Sequence, residues 1–98
     1  MKLGKVVGTV VATQKSEALE GATLLVVRDM APDGALGSGY AVAVDGVGAG
    51  VGEVVLTVAG SSARVTPRTQ DSPVDATIIA IVDTIEADGQ IRYRKSAG

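Results

Sequence analysis

The chain has 98 residues, 11 of them acidic and 9 basic, for a net charge of −2. It therefore has room for one core and no general attraction for nucleic acid. Histidine and cysteine are both absent, which removes disulfides, thiolate metal sites and the usual near-neutral acid–base and thiol nucleophile groups.

Apolar residues make up 46% of the chain, yet there is no Phe or Trp and only two aromatics, Tyr40 and Tyr93. The apolar mass is Val, Ala, Ile and Leu beside 13 glycines, which predicts a β fold with narrow layers. Residues 2–13 form a first strand that is apolar on both faces, with Val6, Val10 and Ala12 on one and Leu3, Val7 and Val11 on the other. Gly8 marks a bend or bulge in it. Residues 14–21 are a polar loop, and 23–28 (TLLVVR) a second strand. Residues 29–39 hold Pro32, Asp33-Gly34, Gly37 and Gly39, and read as a long surface loop.

Residues 40–45 and 53–58 are strands on either side of a segment with glycine at every second position: Gly46, Gly48, Gly50 and Gly52. A flexible linker would interleave serine, whereas Val47, Ala49 and Val51 stand between these glycines. Dinucleotide binding fails on spacing, because the third-glycine position is never glycine. No Gly-Lys-Ser/Thr follows, and a strand stands where a phosphate motif needs a helix N-terminus. The segment reads instead as a packed assembly loop. Gly46, Gly48, Ala49, Gly50, Gly52 and Glu53 are its candidate junction residues, near a symmetry axis.

Ser61 and Ser62 are N-caps that open a short helical turn at Ala63 and Arg64, and Ser72-Pro73 is a second capped turn. Residues 77–86 are the most apolar strand. Asp88-Gly89 turns the chain into a last strand, 90–95, with Ile91 and Tyr93 inward and Arg92 and Arg94 outward. Residues 95–98 are a loose tail of a single domain spanning 1–98. The sum is an all-β fold: a small OB-like barrel of five to six strands with one or two short helical turns.

Chemistry has little to stand on. Asp75 and Asp83 flank the Ile-rich strand, and Arg64 is the cation for one of them, a structural ion pair rather than a catalytic set. No Asp-x-Asp-x-Asp spacing points to a carboxylate metal site, and no cofactor is expected. Two classes of function remain open. Strands apolar on both faces point to burial against copies of the chain, while the barrel with Arg92, Arg94 and Lys95 leaves an OB-type nucleic-acid-binding module as the alternative.

One resemblance covers almost the whole chain. Asp45-Gly46-Val47-Gly48-Ala49-Gly50-Val51-Gly52-Glu53-Val54-Val55-Leu56, then Gly60-Ser61-Ser62-Ala63-Arg64, resembles the signature of the EutN/CcmL family. The opening Met1-Lys2-Leu3-Gly4-Lys5-Val6-Val7-Gly8 is similar to that family's first strand. Ser72-Pro73-Val74-Asp75-Ala76 followed by Ile78-Ile79-Ala80-Ile81-Val82-Asp83 fits as well. The resemblance implies a non-enzymatic homopentamer capping the vertices of a bacterial microcompartment shell. It also implies hexameric and trimeric shell proteins as partners and a cytoplasmic location, without nucleic acid or membrane. The five-fold number comes from the resemblance alone.

Overall fold

A computed structural model describes residues 1–13, 21–59 and 76–95. Seven strands run through them: β1 Lys2–Val10, β2 Leu24–Met30, β3 Leu36–Asp45, β4 Val54–Ala59, β5 Ala76–Ile81, β6 Thr84–Ala87 and β7 Gln90–Arg94. Five of these close a barrel in the order β1-β2-β3-β5-β4, and β6 with β7 makes a separate two-stranded sheet. All pairings are antiparallel except β3 with β5, where Val44 lies opposite Thr77 and Asp45 opposite Ile78. No helix occurs among the described residues. The helical turns expected near Ser61–Arg64 and Ser72–Pro73 fall outside them.

The core is small because its residues are. Val6, Leu25, Val27, Ala43, Val55, Ala76 and Ile78 form one cluster, with Ala49 and Ile81 packed against it. Val6, Val55 and Ile78 are fully buried. β-Branched side chains fill a narrow barrel without the bulk of an aromatic ring, which explains the missing Phe and Trp.

The first strand bends where Gly8 suggested. Its register with β2 slips between Val6 and Gly8, a bulge at Val7. The slip overturns the expected facing of Val10. Val6 pairs with buried Val27, while Val10 pairs with Leu24, whose neighbour Leu25 points inward. Val10 therefore lies on the outer face, opposite to Val6.

The stretch 29–39, expected as a long loop, is mostly strand. The chain reverses within residues 31–35: the Ala31 N–H donates to the Ala35 carbonyl and the Gly34 N–H to the Ala31 carbonyl, both at 2.9 Å. The Asp33 Oδ1 accepts from the Ala35 N–H at 2.9 Å. Gly37 and Gly39 belong to β3 and not to the turn. A Cβ on Gly39 would strike the Asp29 carboxylate across the ladder, so Gly39 marks a close approach rather than a reversal, while one on Gly37 would make only ordinary contact with Asp29.

The apolar run 77–86 is likewise two strands. The Val82 N–H still donates to the Val54 carbonyl at 2.8 Å, and then the Asp83 carbonyl accepts from the Lys95 N–H at 2.7 Å. There the chain leaves β4 for β7. Asp88 (φ 54°) and Gly89 (φ 73°) both sit in the left-handed region, the two-residue hairpin turn that Asp-Gly favours. A slip between Ile85 and Glu86 pairs Glu86 with Ile91 and leaves Arg92 as the bulge residue. Ile91 therefore joins the Glu86 face and is half exposed, contrary to the inward position that alternation predicts. Tyr93, opposite Ile85, is partly buried as expected.

Candidate assembly site

The glycine segment leaves the barrel at the end of β3 and returns at β4. Asp45 sets its shape. One carboxylate oxygen, Oδ1, accepts from three successive backbone N–H groups: Val47 at 3.0 Å, Gly48 at 3.0 Å and Ala49 at 3.1 Å. This works as a helix cap does, since short-chain Asp can satisfy backbone donors just downstream. Three donors converge on one oxygen only if the backbone curls tightly, and Gly48 at φ 80° makes the curl.

A second turn follows. The Glu53 N–H donates to the Gly50 carbonyl at 3.1 Å, and the Gly50 N–H donates back to Glu53 Oε1 at 2.6 Å. Gly52, at φ 95°, occupies the turn position that needs a positive φ. Further bonds pin the loop to the barrel: Gly52 N–H to the Val6 carbonyl (2.8 Å), Val6 N–H to the Glu53 carbonyl (2.9 Å) and Gly46 N–H to the Ile78 carbonyl (3.2 Å). A Cβ on Gly46 would lie 3.0 Å from that same Ile78 oxygen. Ala49 points back onto the core, whereas Val47 and Val51 stand exposed.

Glu53 also holds the far end of the chain. Its Oε2 lies 2.8 Å from Lys95 Nζ. The Lys95 hydrogen bond first, and the Gly50 N–H second, hold the Glu53 carboxyl below its ordinary value; the same bond raises Lys95. Lys95, placed by the sequence reading at the head of a loose tail, thus makes two contacts, to Glu53 and to Asp83.

A second apolar surface lies on the outer side of β1, β2 and β3. The register aligns Gly8 and Val10 with Val26 and Leu24, and Val26 with Val42, whereas Val44 opposite Leu24 is buried. Beside them the Arg28 guanidinium sits 5.8 Å from the Tyr40 ring centre. Tyr40 and Val42 are 60% and 52% exposed in the single chain.

The structure thus brings together Gly46, Gly48, Ala49, Gly50, Gly52 and Glu53 in one hydrogen-bonded loop. Asp83 stands exposed at the strand switch, and Ser61, Ser62, Arg64 and Asp75 lie outside the described residues. Sequence reading missed two residues that organise the loop, Asp45 and Lys95. Asp45 had a signal, an Asp heading a run of small residues with glycine two positions apart. Lys95, 42 positions from Glu53, had none.

The family model described as "Ethanolamine utilisation protein EutN/carboxysome" matches residues 1–83. The chain belongs to the EutN/CcmL family. Its similarity to the carboxysome shell vertex protein CcmL of Thermosynechococcus vestitus is 43% identity, covering 97% of this chain and 96% of that one. The solved CcmL of Gloeobacter violaceus superposes with a TM-score of 0.92 at 41% identity, over 97% of this chain and 98% of the other. The GrpN pentameric microcompartment shell protein of Rhodospirillum rubrum is 47% identical with a TM-score of 0.81, covering 89% of this chain and 99% of that one. Within the EutN/CcmL frame the nucleic-acid alternative is not supported. Of its basic cluster, Lys95 is already paired with Glu53, and Tyr40 lies on β3 under Arg28 rather than beside Arg92 and Arg94.

Proposed function

We propose that this chain closes a five-membered ring with copies of itself and seats the ring at the corners of a bacterial microcompartment shell in the cytoplasm. The role is structural: flat facets of six-fold tiles close into a polyhedron only where five-fold units join them. The observation that carries this reading is the near full-length likeness to shell vertex proteins, one of them solved and described as pentameric. Apolar surface supports it. Tyr40, Val42 and Val51 are each more than half exposed in the single chain, and a neighbouring copy would cover them.

In this reading the loop 46–53 packs at the junction between neighbours. Gly46, Gly48, Ala49, Gly50 and Gly52 keep it narrow, and Glu53 ties it to Lys95. Ser61, Ser62, Arg64, Asp75 and Asp83 brace the same ring as caps and an ion pair. Hexameric and trimeric shell proteins are the further partners. Catalysis and cofactors form no part of the role, in keeping with a chain that has neither His nor Cys.

Native mass spectrometry tests the ring directly. Five copies of the 9.8 kDa chain give a species of about 49 kDa. A chain that stays monomeric throughout the micromolar range would end the proposal.

A further inference from the structure

Three Asp-Gly bonds occur in this chain: Asp33–Gly34, Asp45–Gly46 and Asp88–Gly89. Such a bond is chemically weak because glycine offers no side chain to shield its amide nitrogen. That nitrogen can attack the preceding Asp side-chain carbonyl carbon. A carbon–nitrogen bond forms, and one carboxyl oxygen leaves as water with the amide proton and a proton taken up from solvent, giving a cyclic succinimide. Water then reopens the ring at either carbonyl. Opening at the former backbone carbonyl sends the chain through the side chain, as isoaspartate. Water lost and water regained balance, and no oxidant or other reagent enters.

The fold treats the three bonds differently. The Gly34 N–H is committed to the Ala31 carbonyl at 2.9 Å and the Gly46 N–H to the Ile78 carbonyl at 3.2 Å. Asp45 is held further, since its Oδ1 already accepts three N–H groups and cannot swing toward Gly46 without releasing them. At the third bond both residues are exposed, and a Cβ built on Gly89 meets nothing within 4 Å. Neither the Gly89 amide nor the Asp88 carboxylate makes a hydrogen bond among the described residues. Asp88 is also the single non-glycine residue at positive φ among the described residues.

We propose that Asp88–Gly89 is the site of spontaneous succinimide formation and isoaspartate conversion in this protein, ahead of Asp33–Gly34 and Asp45–Gly46. The conversion adds a methylene to the backbone of a two-residue turn. It therefore breaks the Ala87–Gln90 register of a hairpin whose strands, among the described residues, pair only with each other.

The test is incubation of the assembled full chain in 18O-labelled water at neutral pH and 37 °C. Peptide mapping with electron-based fragmentation then locates isoaspartate and the incorporated heavy oxygen. Conversion at Asp88 is expected roughly tenfold or more faster than at either other bond, the factor that one hydrogen bond of ordinary strength imposes on freeing an amide. A urea-unfolded sample run in parallel is expected to bring the three rates together. Equal rates at Asp88 and Asp45 in the folded protein would overturn the proposal. An Asp88 preference that persists undiminished in urea would also overturn it, by assigning the effect to neighbouring residues instead of the fold.

Discussion

Gly48 and Gly50 differ by two positions and are equally small, yet the structure assigns them different tolerances. Gly48 sits at φ 80°, and a Cβ there meets no atom within 4 Å of its own chain. The cost of Gly48→Ala is therefore conformational, about 1–2 kcal/mol for an L-residue in the left-handed region. For a domain of this size each 1 kcal/mol lowers the melting temperature by about 4–8 °C. Gly50 has no positive φ, and its Cβ would stand 3.5 Å from Glu53 Oε1, an ordinary contact. Gly50→Ala should change the stability of the isolated chain by less than about 0.5 kcal/mol. If the loop packs at a subunit junction, however, the added methyl meets a neighbour in every interface of the ring. The expected result for Gly50→Ala is a normal circular dichroism spectrum and a weakened ring on native mass spectrometry, and Gly50→Val should be worse. Rings of full strength from both Gly50 variants would refute the junction, whatever Gly48→Ala does.

Asp45→Ala leaves three backbone donors without their acceptor and should cost about 1 kcal/mol, as loss of a helix cap does, while Asp45→Asn keeps the oxygen and should restore most of the melting temperature. Val42→Asp places a charge on the half-exposed outer face, so it should leave the chain folded but monomeric by gel filtration. Ile78→Ala empties a fully buried position and should cost about 2–5 kcal/mol in urea unfolding, a loss that a merely peripheral strand would not show. Glu53 is lowered and Lys95 raised by their contact, so the pair stabilises the fold between their ordinary values of 4.5 and 10.5. Its contribution is lost as pH falls through the lowered Glu53 value or rises through the raised Lys95 value. The melting-temperature gap between wild type and Lys95→Met should therefore close at both extremes and shrink in high salt; a gap independent of pH would place the effect elsewhere.

Most of the strands could be located from residues alone, because β-branched runs and turn chemistry are local properties. The Asp88-Gly89 hairpin, the two strands around the glycine segment and the bend beside Gly8 follow from which φ and ψ each residue tolerates. The all-β class followed from composition in the same way, and the ordered residues of the glycine segment and its flanks carried the family resemblance. What needed the tertiary structure is register. A single skipped residue at Val7 moves Val10 to the outer face, and another at Arg92 turns Ile91 away from Tyr93. Alternation along one strand cannot reveal a bulge that exists only relative to its partner. Close approaches are hidden for the same reason. Gly4 looks like any strand glycine, yet a Cβ there would collide with Val27 of β2. The hold of Glu53 on Lys95 joins residues far apart in the chain, and only folding gives them a distance. The amino-acid order thus settles what each segment can be, whereas contacts between distant segments decide which side of each strand faces the core.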